Sequence, residues 1–292
     1  MQIREYLEQL SRRFAAAELE YGHGTDNPLD EAAYLVYCSL QLDFGVGEEQ
    51  LQRALSADEL QLLETRARQR IESRVPVAYL VGEAWFAGQA FLSDPRALIP
   101  RSPIAELIQH RFAGLVTETP ARILDLCCGG GCIGIACALA FPAAQVLLAD
   151  LSSDALQLAA ANVERYSLAS RVQLLQADLF AGISGRFDLI VCNPPYVADS
   201  IVAALAPEYH HEPVLGLRSD DEGLQIPLRI LAGAADYLTD SGVLILEVGC
   251  AAESLQTRYP RVPFLWLDFE HGGDGVLALT AAQLQQYRAQ FI

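Results

Sequence analysis

Five short apolar runs in the second half of the chain alternate with stretches of helical composition, and this alternation constrains the fold most. The runs are 122–126, 145–150, 171–176, 187–192 and 242–248. Between them the pattern predicts a helix over 132–140, one over 155–166 behind the capping residues Ser152-Ser153-Asp154, and one over 224–237. Strands separated by helices predict a doubly wound, mostly parallel α/β sheet of the Rossmann-like kind. Residues 264–269 and 275–279 are expected to complete it, making seven strands.

The first part of the chain reads differently. Ile3, Tyr6, Leu7, Leu10 and Phe14 recur at helical spacing, so the first twenty residues are expected to form an amphipathic helix. The stretch Tyr21-Gly22-His23-Gly24-Thr25-Asp26-Asn27-Pro28 reads as a loop from its Gly, Asn and Pro. A second helix then starts at Asp30 or a neighbour and runs through Ala32, Ala33, Leu35 and Val36. Ser56-Ala57-Asp58-Glu59 is a capping box, and its helix runs to about Arg74, where Val75-Pro76 stops it. Residues 1–75 are therefore expected to be a small helical domain, with partner contact or simple packing as its role. Residues 79–99, punctuated by Gly82, Gly88 and Asp94-Pro95, predict a hairpin within a linker over 76–100. The α/β domain occupies 101–292, entered through Pro100-Arg101-Ser102-Pro103-Ile104 and a helix starting near Ala105.

Hydrophobic residues make up 52% of the 292, enough for a sizeable core. The formal net charge is −17. Such a surface repels phosphate backbones and attracts a basic partner, although solubility alone would also account for it. The N-terminus has no signal-peptide core and no apolar run is long enough to span a bilayer, so a cytoplasmic protein is expected. Seven cysteines, an odd number, then read as reduced thiols.

Asn193-Pro194-Pro195-Tyr196 closes the fourth run. Two adjacent prolines lack N–H donors and cannot continue a ladder, so the strand ends with Asn193 at its carboxyl tip. Pro194 and Pro195 fix two φ angles and leave only carbonyl acceptors. Asn193 adds a side-chain oxygen, and Tyr196 an aromatic face. Such a clamp suits a planar group bearing an NH2, either an amide or an exocyclic amine.

Asp125-Leu126-Cys127-Cys128-Gly129-Gly130-Gly131 joins the first run to its helix and is a candidate cofactor loop, Asp125 included. Glycines there let backbone N–H groups approach a ligand at a helix N-terminus. In a phosphate-binding G-x-G-x-x-G loop the third Gly falls at Cys132 or Gly134, depending on register. Asp150 ends the second run 25 residues after Asp125, where an acid accepts both hydroxyls of a ribose or simply caps a helix, and the Gly loop in front of it favours the ribose. Asp178-Leu179-Phe180 follows the third run and can frame an adenine ring or simply turn. Ligands of such sheets bind at the carboxyl ends of strands where the strand order reverses. If the fourth strand lies beside the first, the clamp and the Gly loop meet there.

Together these residues resemble the S-adenosylmethionine-dependent protein N5-glutamine methyltransferases of the HemK/PrmB family. The resemblance to the PrmB branch extends over nearly the whole chain. It rests on residues 21–28, Val75-Pro76-Val77-Ala78-Tyr79-Leu80, Pro100-Arg101-Ser102-Pro103-Ile104, Asn193-Pro194-Pro195-Tyr196 and His211-Glu212-Pro213. That branch methylates a glutamine of the third protein of the large ribosomal subunit. The resemblance implies a class I methyltransferase fold, S-adenosylmethionine as methyl donor and S-adenosylhomocysteine as product. It also implies a cofactor site lined by Cys127, Cys128, Gly129, Gly130, Gly131, Asp150, Leu179 and Asn193, with Asn193, Pro194, Pro195 and Tyr196 holding the glutamine amide. Cys128 and Gly130 stand where the family carries Thr and Ser. The implied transfer is in line: Asn193 Oδ1 and the Pro194 carbonyl accept the two N–H bonds of the amide and aim its nitrogen at the sulfonium methyl.

The same tetrapeptide occurs in adenine-N6 DNA methyltransferases, but the charge of −17 and the lack of a basic recognition domain argue against DNA. A release-factor glutamine is the other protein substrate to weigh. A non-enzymatic alternative is a cofactor-binding assembly partner of a ribosomal protein. His210-His211-Glu212 has no further ligands at suitable spacing, and Cys127, Cys128 and Cys132 are crowded into one strand-turn-helix, so no metal is expected.

Overall fold

The computed structural model describes residues 1–291. Among these residues nine strands form two sheets. A hairpin of β1 (Glu83–Phe86) and β2 (Gln89–Leu92) stands alone. The large sheet contains β3 (Arg122–Leu126), β4 (Gln145–Asp150), β5 (Val172–Gln176), β6 (Phe187–Cys192), β7 (Leu238–Glu247), β8 (Leu265–Trp266) and β9 (Val276–Thr280). Its order is β5-β4-β3-β6-β7-β9-β8. β3 to β7 run parallel, and β9 is antiparallel to both of its neighbours. The chain thus grows outward from β3 to β5, then returns to lay β6 on the other side of β3. That reversal is the switch point at which ligands of open α/β sheets bind.

The strands are apolar on both faces because both are covered. Ile123, Val146, Leu148, Leu189, Val191 and Ile245 join one core with the helix Cys132–Ala140. Their neighbours Leu124, Leu126, Ala149, Ile190, Leu244 and Leu246 join the other core with the helix Gln225–Gly233. This alternation is the period-2 geometry of a strand read twice.

In the N-terminal region, the helices Ile3–Ala16, Pro28–Leu40 and Ala57–Ser73 pack through Ile3, Tyr6, Leu10, Phe14, Leu35 and Leu63. Val77, Ala78, Ala84 and Ile99 belong to the same cluster. The first helix ends four residues before the twenty expected. The second begins at Pro28, earlier than Asp30, because Asn27 caps it and accepts the N–H of Leu29 at 3.1 Å and of Asp30 at 2.9 Å. The hairpin is shorter than 79–99 because Val77–Val81 coils into a helix first. Its turn, Ala87-Gly88, has positive φ at both positions, 49° and 78°, the twist that suits a two-residue hairpin. Of the expected strand 264–269, only Leu265–Trp266 pairs. The short helices Glu48–Leu51 and Ala252–Arg258 had no distinct sequence signal, whereas Ala281–Tyr287 starts at a capping box of Thr280 and Gln283 that the sequence reading passed over. Among the described residues no helix is long and apolar enough to cross a membrane.

Candidate active site

β3 and β6 are direct neighbours, with Leu126 opposite Cys192. Cys127 and Asn193 therefore leave adjacent strand tips, and the Gly loop and the Pro-Pro clamp meet above them. A cavity of about 390 Å³ opens there. Its walls are Cys127 to Gly130, Asp150, Asp178, Leu179 and Asn193 to Val197, with Arg96 to Ser102 behind and Leu205, Tyr209, Pro213 and Leu215 on a strap that follows the clamp.

Asp150 at the tip of β4 braces the Gly loop. Its Oδ2 accepts the Gly129 N–H at 2.8 Å and its Oδ1 accepts the Ser152 N–H at 2.8 Å. Burial pushes this carboxyl up, and those backbone bonds oppose the shift. Each oxygen keeps a second lone pair for a hydroxyl group in the cavity.

The Asn193 carboxamide makes no hydrogen bond within the chain among the described residues, and it lines the cavity. A residue that merely capped a turn would be engaged with backbone N–H groups. Pro194 is buried and Pro195 half-buried, so the strand tip is held firmly beneath the carboxamide. Tyr196 donates its hydroxyl to Glu247 Oε1 at 2.8 Å. Burial and the Glu247 carboxylate raise that phenol above its ordinary range, so Tyr196 offers the cavity its ring and not an acid or base.

Three residues expected to hold the cofactor do not line the cavity. Asp125 is fully buried beneath the loop, where its Oδ2 accepts the Gly134 N–H at 2.7 Å. Burial pushes its carboxyl up to about 8. A Cβ on Gly134 would fall 2.2 Å from Leu148 Cδ2 and 2.9 Å from Asp125 Cβ, so Gly134 fills the third-glycine role by letting helix and strand touch. Gly131 caps the helix Cys132–Ala140 and faces Leu148 and Ala159. Phe180 stacks on Tyr237, centroids 4.6 Å apart, within the core. Asp178 lies at the rim, paired to Arg229 at 2.9 Å.

Sequence reasoning missed the residues that hold the strap. Glu212 is buried and accepts two bonds from Arg101, at 2.6 and 2.8 Å, and the Ile99 N–H at 2.9 Å. His23 Nε2 lies 3.4 Å from Glu212 Oε2. Burial alone would push the Glu212 carboxyl up, but His23 and Arg101 outweigh it and hold it at about 2. Four residues earlier, Glu208 meets the fully buried Arg70 at 2.9 Å, and Arg70 also pairs with Glu31 at 3.1 Å. His211 Nε2 sits 2.7 Å from the Ser73 carbonyl. The stretches 21–28, 100–104 and 211–213 were each visible as motifs, but their mutual pairing was not.

A family model described as "Methyltransferase small domain" matches residues 110–208. The hMettl16 catalytic domain, solved in complex with MAT2A 3′UTR hairpin 6, superposes with a TM-score of 0.55 at 18% identity. The match covers 85% of this chain and 92% of that one, a likeness of fold alone. Among curated proteins, the ribosomal protein uL3 glutamine methyltransferase of Xanthomonas campestris pv. campestris is 46% identical over 95% of this chain and 91% of its own length. The enzyme of the same name from Francisella tularensis subsp. tularensis is 40% identical over 99% of this chain and 93% of its own. Identity at that level from end to end, on a site of this build, places the chain in the ribosomal protein uL3 glutamine methyltransferase family.

Proposed function

We propose that this methyltransferase transfers the methyl group of S-adenosylmethionine to the side-chain amide nitrogen of a glutamine in ribosomal protein uL3. The observation that carries the reading is the unengaged Asn193 carboxamide beside the Gly loop, across the Leu126–Cys192 register. Near-full-length identity to enzymes of that name supports the substrate.

The residues present fit the cofactor. Asp150 retains lone pairs for ribose hydroxyls, backbone from Cys127 to Gly130 lies along the cavity, and Asp178 and Leu179 border its far end. When bound, the cofactor supplies an electrophilic methyl on a sulfonium and leaves as S-adenosylhomocysteine. The chain's own task is to present the nucleophile. An amide nitrogen is a poor one, because its lone pair is shared with the carbonyl. Asn193 Oδ1 and the Pro194 carbonyl accept its two N–H bonds and fix its line of approach, while the Tyr196 ring flanks it. Positioning and fixed dipoles supply most of the acceleration. The N-methylated, protonated amide is strongly acidic and loses its proton afterwards, so no general base is assigned. The charge of −17 suits a basic protein substrate, and residues 1–75 contribute to its recognition. Such a substrate places the reaction in the cytoplasm.

The test offers labelled S-adenosylmethionine with uL3, a release factor or DNA, and maps the labelled position. Label on a uL3 glutamine is expected. Label confined to the release factor or to DNA overturns the assignment.

A further inference from the structure

We propose that Glu247 is a positioning residue for methyl transfer: its buried carboxylate fixes the Tyr196 ring that flanks the amide. The proposal rests on the clamp reading above and assigns the clamp a support outside the cavity.

Glu247 ends β7, the strand beside β6, one residue beyond the Cys192–Leu246 pairing. It is 4% exposed and is not part of the cavity wall. Its Oε1 accepts from Tyr196 Oη at 2.8 Å and its Oε2 accepts from Ser102 Oγ at 2.5 Å. The Ser102 hydroxyl oxygen in turn accepts the Ile104 N–H at 3.2 Å, at the start of the helix Ile104–Gln109. A buried carboxylate is costly unless its oxygens are hydrogen-bonded, and here one hydroxyl serves each. Nothing in sheet formation requires an acid at the end of a strand paired on both sides. What it does hold is the far end of the Tyr196 ring.

The ring is fixed from a second side. A Cβ on Gly249 would fall 2.5 Å from Tyr196 Cε2 and 2.6 Å from Cζ, so the backbone two residues after Glu247 lies against the ring. With its hydroxyl tethered and its edge against this backbone, the ring has one orientation. The substrate amide then meets a wall already set before it binds. A misplacement of about 1 Å at a positioned group costs roughly 10²-fold in rate, which is the scale on which such a tether matters.

The test combines kinetics with a measurement that needs no substrate. Glu247→Leu removes both acceptors and should lower kcat roughly 10- to 100-fold. Cofactor affinity should stay within about twofold, because Glu247 does not reach the cavity. Glu247→Gln keeps an acceptor for Tyr196 and can donate to Ser102, and should restore most of the lost kcat. Tyr196→Phe, which keeps the packing, should lose a similar factor, and the double variant with Glu247→Leu should be no worse than either single one. Ring-labelled tyrosine NMR, with Tyr196 assigned from Tyr196→Phe, should show a slowly flipping ring in the wild type and an averaged one in Glu247→Leu. Should Glu247→Leu fail to fold, Tyr196→Phe and Glu247→Gln carry the same comparison. A wild-type kcat in Tyr196→Phe, multiplying effects in the double variant, or a freely flipping wild-type ring overturns the proposal. Absence of transfer to uL3 by the wild type would instead sink the substrate assignment, and the ring measurement would still decide this one.

Discussion

Arg101 and Glu212 face each other fork to fork, Nη1 to Oε1 at 2.6 Å and Nη2 to Oε2 at 2.8 Å, across 111 positions of sequence. Arg101 belongs to the wall behind the cavity and Glu212 to the strap that follows the clamp. Their pairing closes one side of the site. The Arg101 guanidinium also lies over the Tyr209 ring, 5.5 Å from its centroid. Tyr209 in turn packs on His23, centroids 4.5 Å apart.

Removing Arg101 leaves the buried Glu212 carboxylate without its main partner, whereas removing Glu212 leaves a guanidinium that still reaches solvent. Arg101→Met should therefore destabilise the protein by roughly 3 kcal/mol, and Glu212→Leu by less. The double variant should be less destabilised than the sum, because each single change leaves the other charge without this partner. Urea unfolding of the three proteins measures this. Additive losses would show that the pair is not a unit.

The same pair predicts an acid limb. Glu212 is held at about 2, below its ordinary value of 4.5. A depressed carboxyl contributes stability that is present above the unfolded value and lost as pH falls through the folded one. Between pH 4.5 and about 2 the wild type should lose stability that Glu212→Gln does not lose through this group. Melting temperatures across that window check it. Parallel curves for the two proteins would contradict the depressed value.

The sheet was legible because its strands are buried on both faces and their apolar runs end at Gly, Asp or Pro. For β3, β4 and β6 the expected bounds coincide with those observed. Proximity of Cys127 and Asn193 needed only one further condition, that β6 lie beside β3, and it does. The supports of the site were not legible. Glu208, Glu212 and Glu247 look in sequence like ordinary acids, yet all three are buried, and their partners lie 138, 111 and 51 positions away. Charge burial of this kind is a property of the tertiary arrangement and leaves no periodicity. β8 was overestimated for a related reason: at the sheet edge it pairs on one side only, so an apolar run there exceeds the strand it forms. Asp125 is the converse case: a carboxyl near a strand tip reads as a ligand, and in the fold it lies beneath the loop with its Oδ2 accepting the Gly134 N–H.

Asp150→Ala should weaken S-adenosylmethionine binding by about 1.5–3 kcal/mol, through loss of charge-assisted bonds to the ribose. Part of the loss is indirect, because Asp150 also anchors the Gly129 N–H. Asp150→Asn keeps acceptor capacity and should bind with intermediate affinity. Calorimetry with the cofactor alone measures both, and unchanged affinity in the alanine variant would remove Asp150 from the site.

The net charge of −17 should steer a basic substrate. Association with uL3 should then slow as salt rises, because the Debye length falls from about 30 Å at 0.01 M to about 8 Å at 0.15 M. Dissociation should change much less. Stopped-flow association rates that stay flat across that range would show that the acidic surface serves solubility alone.

Asn193 separates a working clamp from a structural turn. Its carboxamide ends β6, precedes two prolines and is free of hydrogen bonds within the chain among the described residues. If it served the fold as a cap does, Asn193→Ala would cost about 0.5–2 kcal/mol of stability, and the folded fraction would still transfer methyl. If it orients the amide, the change removes one of two acceptors and lets the nitrogen turn out of line. One positioned polar contact of this kind is worth about 10²–10³ in rate. Because the side chain holds nothing in the protein, unfolding should be nearly unaffected. Cofactor affinity should fall less than turnover, since the carboxamide borders the cofactor but engages the amide. Asn193→Asp is the sharper companion, because it restores the acceptor and adds a charge. A carboxylate there attracts the positive charge that appears on the amide nitrogen as the methyl arrives, but it also pays a desolvation cost on closing over the substrate. It should lie between alanine and wild type. The measurement is single-turnover transfer at saturating cofactor, with thermal unfolding alongside. A wild-type rate in Asn193→Ala would mean that the amide is held by backbone alone, and that the side chain at the tip of β6 has no part in the chemistry.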